Sequence, residues 1–276
     1  MRDERSVRGR LVIVGLGPGS RDLLAPRAVA AIAASDLVVG YSGYLPYIAD
    51  LLDGKEVHES PLTQEVARAT FAVEQARAGR NVCMVSSGDA GVYGMAGLVL
   101  DLLTQASAEA RRELASDERE PEVEVVPGIS ALNAAAALLG APLMHDFAAI
   151  SLSDLLTPWE TIARRLDAAA AVDFVIALYN PTSKRRVQHL MEARRILLNY
   201  RASDTPVGLV RNAYREGQRV AILPLAELDV AMVDMFTTVI IGNSCTRLRS
   251  KRMVTPRGYE QREPAITVSA EDVTHE

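Results

Sequence analysis

Four short loops carry the residue types whose spacing could support chemistry. Val85 to Gly97 reads Val-Ser-Ser-Gly-Asp-Ala-Gly-Val-Tyr-Gly-Met-Ala-Gly, with four glycines and one carboxylate, Asp89. Small residues in such a stretch let a ligand approach the backbone, because no Cβ stands in the way. The other three are Gly15-Leu16-Gly17-Pro18-Gly19, Pro127-Gly128-Ile129-Ser130-Ala131 and Leu178-Tyr179-Asn180-Pro181-Thr182-Ser183-Lys184. Each follows a short apolar run, and ligands of open α/β sheets bind where strands end at their carboxyl side.

Two familiar ligand patterns do not fit. Gly15 to Gly19 looks like a dinucleotide loop, but its third glycine comes one position early and Pro18 intervenes. The following strand ends Val38-Val39-Gly40, without the acid that would hold a ribose. Ser86 to Gly91 lacks the Gly-Lys-Ser/Thr ending of a triphosphate-cradling loop. The remaining loops have plainer readings beside the functional ones. Ser130 is placed to cap a helix, and Thr182 or Ser183 to cap another. Lys184, Arg185 and Arg186 would crowd that helix's first turn, where acids are normally favoured. Either an anionic partner or a solvated face accounts for them.

The elements that must position these loops follow from periodicity. Strands are expected at 11–15, 37–40, 55–59, 81–85 and 123–126, and helices at 23–34, 64–78, 93–105 and after Ile129. That alternation predicts βαβ units and a parallel sheet. Residues 107–122 are highly charged and read as a solvated excursion. After Gly140-Ala141-Pro142 the texture changes. Strands are expected at 147–152, 174–179, 207–210, 220–223 and 237–241, with helices at 158–169 and 183–200. Three consecutive strands without a helix predict antiparallel pairing there. The expected division is an α/β domain at 10–138, mostly parallel, a second α/β domain with a mixed sheet at 139–250, and a basic then polar tail at 251–276. No internal repeat is visible.

Composition bounds the function. The chain has 276 residues and a net charge of −5, which argues against a general nucleic-acid binder. Two cysteines, Cys83 and Cys245, lie far apart, and the four histidines are scattered, so neither a disulfide framework nor a metal site is expected. A reducing cytoplasm fits that usage. Residues 1–10 are charged and do not read as a secretory signal. The most apolar long stretch, 129–144, is too short to span a bilayer, so no membrane association is expected.

Taken in order, Gly-Leu-Gly-Pro-Gly, Ser-Ser-Gly-Asp-Ala-Gly-Val-Tyr-Gly, Val-Pro-Gly-Ile-Ser-Ala and Ala-Leu-Tyr-Asn-Pro-Thr-Ser resemble the tetrapyrrole methylases. Residues 140–147, 150–159 and 253–259 resemble the ring-contracting corrin branch of that family, and the likeness covers roughly residues 10 to 260. The resemblance implies two α/β domains of class III methyltransferase type with an active cleft between them, a homodimer, S-adenosyl-L-methionine as methyl donor and a precorrin tetrapyrrole as substrate. It implies donor contacts at Pro18, Gly88, Asp89, Ala90, Ser130, Ala131, Tyr179, Asn180, Asn212, Ala213, Thr237 and Thr238. Asn180 stands where the sirohaem branch commonly has methionine, which favours the corrin branch. Gly17, Ser87, Lys184, Arg185 and Arg211 would line the substrate trough, the cations meeting its carboxylates. Ring contraction also needs a proton moved, for which Asp89, His145 and Tyr93 are the candidates. As neighbours on a strand, His145 and Asp146 would face opposite sides and not act as a pair.

Overall fold

The structure, a computed structural model, describes residues 8–110, 120–183 and 186–259. The chain forms two compact units, Met1–Ala134 with Asn212–Gln218, and Ala135–Arg211 with Arg219–Glu276.

The first unit is built on a wholly parallel five-stranded sheet. Its strands are β1 (Arg10–Gly15), β2 (Leu37–Tyr41), β3 (Glu56–Ser60), β4 (Asn81–Ser86) and β5 (Glu122–Val126), in the order β3-β2-β4-β1-β5. Helices α1 (Pro26–Ala33), α2 (Glu65–Arg77), α3 (Ala96–Ala110) and the start of α4 (Ala131–Leu139) follow β1, β3, β4 and β5. The unbroken apolar run Leu11-Val12-Ile13-Val14 has its cause here, because both faces of a parallel sheet are covered. Leu11 and Ile13 pack with Ala69, Val73 and Val99 on one face. Val12 and Val14 pack with Ala28, Ile32 and Ile48 on the other. Cys83 lies in that second core, where burial pushes its thiol up to about 12 and leaves it a small hydrophobe.

Two boundaries differ from the periodicity reading. Helix α3 starts at Ala96, not near Tyr93, because Tyr93 takes φ 52° and the Ala96 amide returns to the Ala90 carbonyl at 2.9 Å. It runs on to Ala110, so part of the expected charged excursion is helical, while residues 111–119 lie outside the described residues.

In the second unit, β7 (Phe147–Ser151) runs parallel to β8 (Val175–Tyr179), and β8, β11 (Thr237–Ile241), β9 (Pro206–Arg211) and β10 (Arg219–Pro224) pair antiparallel. Helices α5 (Trp159–Ala171) and α6 (Gln188–Leu197) cover one face, burying Ile162, Leu166, Leu190 and Leu197 against Ile176, Leu178, Leu209 and Val239. Gly208 marks the other face. A Cβ there would fall 2.4 Å from a Leu139 methyl and 2.9 Å from Met253 Sδ, so any larger residue on β9 would require these two side chains to shift.

Met253 belongs to a small sheet that periodicity does not reveal. β12 (Arg247–Arg249) and β13 (Arg252–Val254) form a hairpin, and β13 runs parallel to the two-residue β6 (Gly140–Ala141). Residues 251–254, expected to open a basic tail, are therefore partly strand. Residues 260–276 lie outside the described residues. Among the described residues no helix is long and apolar enough to cross a membrane.

Candidate active site

In the first unit, parallel pairing of β4, β1 and β5 brings three of the predicted loops to one edge, beyond the carboxyl ends of these strands. Gly17 and Gly88 join the first two loops by a reciprocal bridge, with N–H to carbonyl distances of 3.0 and 2.8 Å. Both take positive φ, 70° and 66°, which explains glycine at each.

The glycines at 15 and 128 are required by the packing of the loops on one another. A Cβ on Gly128 would meet the Gly88 carbonyl oxygen at 2.2 Å, and one on Gly15 would meet Gly128 N at 2.7 Å. The loops pack backbone on backbone, and the missing side chains make that contact possible. Asp89 closes the arrangement. Its Oδ1 accepts from Gly91 N at 2.8 Å and its Oδ2 from Gly128 N at 3.0 Å. Both carboxylate oxygens are thus engaged by backbone amides, which makes Asp89 a strut between the loops. Buried Ser130 accepts from Asn133 N at 3.3 Å and its carbonyl accepts from Ala134 N, so it caps α4 and holds Ala131 at the helix start. Ala90 is fully buried beneath the loops, and Tyr93 stands 56% exposed beside them.

The segment Asn212–Gln218 packs with this unit although its neighbours in sequence belong to the other. Asn212 and Tyr214 take φ of 48° and 56° in a tight turn. Asn212 Nδ2 donates to the Glu216 carbonyl at 3.2 Å, and Gln218 Oε1 accepts the Tyr214 amide at 2.7 Å. The turn presents Arg215, which no local sequence pattern singles out. Its Nε donates to the Pro18 carbonyl, its Nη2 donates to Ser87 Oγ at 2.7 Å, and its guanidinium lies 4.6 Å from the Tyr47 ring centre. Burial pushes the nearby Tyr44 phenol up, against the opposing pull of the Arg215 charge. Tyr44 is therefore neutral at neutral pH.

In the second unit, Tyr179 ends β8 and Asn180 follows in the left-handed region, φ 49°. Asn180 Nδ2 donates to Ser151 Oγ at 3.0 Å, and its carbonyl accepts from Arg186 Nη2 at 2.8 Å. Arg186 also donates to Ser153 Oγ at 3.2 Å and lies 3.7 Å from Asp154. The expected helix start at Ser183 with three cations in its first turn is corrected. Helix α6 starts at Gln188, Arg186 turns inward with only 10% of its side chain exposed, and Lys184 and Arg185 lie outside the described residues.

Arg211, expected among the substrate's ligands, is already paired. Its Nε donates to Asp234 Oδ2 at 2.6 Å, while Thr237 Oγ1 donates to Asp234 Oδ1 at 2.7 Å. Burial works to raise the Asp234 pKa, but the bonds from Arg211, Thr237 and the Phe236 amide outweigh it and hold the carboxyl below its ordinary range. Thr237 and Thr238 are both buried on β11. His145 and Asp146 precede β7 and are not part of a strand. They do not face opposite ways: His145 Nδ1 accepts the Asp146 amide at 2.9 Å and lies 3.8 Å from its carboxylate. With Nδ1 accepting, a neutral His145 carries its proton on Nε2.

Residues 10–229 match the family model described as Tetrapyrrole (Corrin/Porphyrin) Methylases. The chain belongs to this family. Among its members, the cobalt-factor III methyltransferase of Priestia megaterium is 48% identical over 256 residues, 93% of this chain and 46% of that protein. The precorrin-3B C(17)-methyltransferase of Sinorhizobium sp is 43% identical over 256 residues, 91% of this chain and 97% of that protein. The chain thus spans about half of the first relative and nearly all of the second. Of solved structures, the methyltransferase CobJ is 38% identical with a TM-score of 0.81, covering 90% of this chain and 100% of that one. A uroporphyrin-III C-methyl transferase from Thermus thermophilus, complexed with S-adenyl homocysteine, is 25% identical with a TM-score of 0.62, covering 85% of this chain and 97% of that one. The parallel and mixed sheets described above are those of this methylase fold.

Proposed function

We propose that this methylase transfers the methyl group of S-adenosyl-L-methionine to C-17 of precorrin-3B, with ring contraction to precorrin-4, in corrin synthesis. The observation that carries the reading is the joined set of loops at 15–19, 86–91 and 127–131, locked by the Gly17–Gly88 bridge and the Asp89–Gly128 bond. The named activity of the Sinorhizobium relative supports the substrate.

The loops fit a methyl donor on their own chemistry. They offer small side chains, a helix start at Ala131 and backbone groups fixed by mutual hydrogen bonds. When bound, the donor supplies a methyl group already activated on a sulfonium. What the chain has to add is position: a carbon nucleophile held in line with the methyl–sulfur bond. Placement of this kind can contribute about 7–11 kcal/mol of a barrier. Pro18, Gly88, Ala90, Ser130 and Ala131 are the proposed donor contacts of the first unit, with Asn212 and Ala213. Tyr179, Asn180, Thr237 and Thr238 are those of the second. In the ring contraction a hydroxyl proton leaves as the ring carbon migrates, so a base has to receive it. With Asp89 engaged as a strut, Tyr93 and His145 are the proposed proton carriers. Gly17 and Ser87 are proposed to face the substrate. Lys184 and Arg185 are proposed to meet its carboxylates, and neutralising both should raise the substrate KM.

A cobalt-bearing substrate is the second reading, favoured by the named activity of the Priestia relative. The protein is further proposed to act as a cytoplasmic homodimer. Incubation with methyl-labelled donor and, in parallel, precorrin-3B and cobalt-factor III tests both readings. Label in one tetrapyrrole decides between them. Donor binding without transfer to either would indicate a non-catalytic nucleotide-binding module.

A further inference from the structure

Arg215 is a half-buried cation without a carboxylate partner among the described residues, whereas Arg211 is held by Asp234 and Arg186 lies beside Asp154. Taking a guanidinium partly out of water without a counter-charge is unfavourable, yet much of the surrounding structure serves to hold it there. The turn at 212–218 adopts two left-handed residues and four internal hydrogen bonds, counting Arg215 N to the Asn212 carbonyl at 2.9 Å and Gln218 N to the Arg215 carbonyl at 3.1 Å. The ring of Tyr47 supports the guanidinium from one side. Gly19 makes room for it, since a Cβ there would fall 2.5 Å from Arg215 Nε.

The Pro18 carbonyl and Ser87 hydroxyl take one N–H from Nε and one from Nη2. The remaining donors of the planar group have no partner among the described residues and form a fixed fork of the kind that matches a carboxylate. They lie beside the loops that follow β1 and β4, where a parallel sheet receives its ligand.

We infer that Arg215, oriented by Tyr47, Ser87 and Pro18, is a recognition site for a ligand carboxylate. The inference rests on the methyltransferase reading for what the ligands are. Two of them carry that group: the tetrapyrrole on its acidic side chains, and the donor on its amino-acid end.

Arg215→Gln separates the sources by equilibrium binding, with no turnover required. The probes are cobalt-factor III and its methyl ester, then S-adenosylhomocysteine and methylthioadenosine, which lacks the carboxylate. If the tetrapyrrole is the source, the variant binds cobalt-factor III at least tenfold more weakly. Its affinity for the ester and for S-adenosylhomocysteine then stays within twofold of wild type. If the donor is the source, S-adenosylhomocysteine alone loses tenfold and methylthioadenosine does not. The inference is overturned if neither carboxylate ligand loses affinity, or if the carboxylate-free analogues lose as much as their parents. The latter result would make Arg215 a loop clamp only. Should Arg215→Gln fail to fold, Arg215→Lys keeps the charge but not the fork, and should show a smaller loss confined to the same carboxylate ligand. Failure of the function reading is distinguishable. Wild-type protein that transfers no label, yet shows carboxylate-dependent binding lost on substitution, would overturn the activity and leave this site standing.

Discussion

Asp89 Oδ2 accepts the Gly128 amide at 3.0 Å, binding the loop after β4 to the loop after β5. Its other oxygen closes on Gly91 N within its own loop, so one side chain sets two backbone segments at once. Asp89 thus braces the two loops.

This assignment separates two outcomes for Asp89→Asn. Hydrogen bonds to a charged acceptor contribute about 1.5–3 kcal/mol each, and the amide can replace only one of the two. We expect Tm to fall and donor affinity to weaken, with the shape of the pH–rate profile unchanged. Loss of one limb of that profile at unchanged donor affinity would restore the acid–base role.

Glycine positions in the same motif differ in sensitivity. Gly128→Ala places a Cβ 2.2 Å from the Gly88 carbonyl and should cost about 1–3 kcal/mol by overpacking, together with donor affinity. Gly97→Ala meets nothing within 4 Å, in the first turns of α3, and should be neutral or stabilise by up to about 1 kcal/mol. Chemical denaturation of the two variants reads the contrast.

Asn180 holds φ 49° between β8 and the turn that Arg186 secures. A β-branched residue there would meet the left-handed penalty of about 1–2 kcal/mol, whereas glycine would not. Asn180→Gly should therefore keep a Tm near that of wild type, and Asn180→Val should lower it. Equal Tm values for the two would contradict the geometry.

The Asp234 carboxyl sits below its ordinary pKa, so its contribution to stability is present above the unfolded value, near 3.9. It is lost as pH falls through the folded value. Since Arg211 and Asp234 are both more than a third exposed, the pair should contribute no more than about 1 kcal/mol. Asp234→Asn should be less stable than wild type at pH 7, and the difference should shrink as pH falls and vanish once pH is below the folded value. Arg211→Gln should lower Tm and leave the substrate KM unchanged, since Asp234 already neutralises that guanidinium.

Much of the first unit is legible in the sequence because a parallel sheet covered on both faces leaves continuous apolar runs such as Leu11–Val14. The antiparallel pairing of β9, β10 and β11 is legible from the missing helices between them. The hairpin β12–β13 is not, since Arg247, Leu248 and Arg249 are all exposed and show no alternation. The three loops at 15–19, 86–91 and 127–131 are visible in the sequence, but that their glycines pack against one another is not. Arg215 is invisible to any local pattern. Its partners Pro18, Tyr47 and Ser87 lie far away in sequence, and only the return of residues 212–218 to the first unit brings them together.

Transfer of labelled methyl from S-adenosyl-L-methionine to precorrin-3B, followed by mass analysis of the tetrapyrrole, tests the central claim most directly. The account predicts one methyl group added per tetrapyrrole at C-17, with a contracted ring. Donor bound without label reaching precorrin-3B or cobalt-factor III would contradict it.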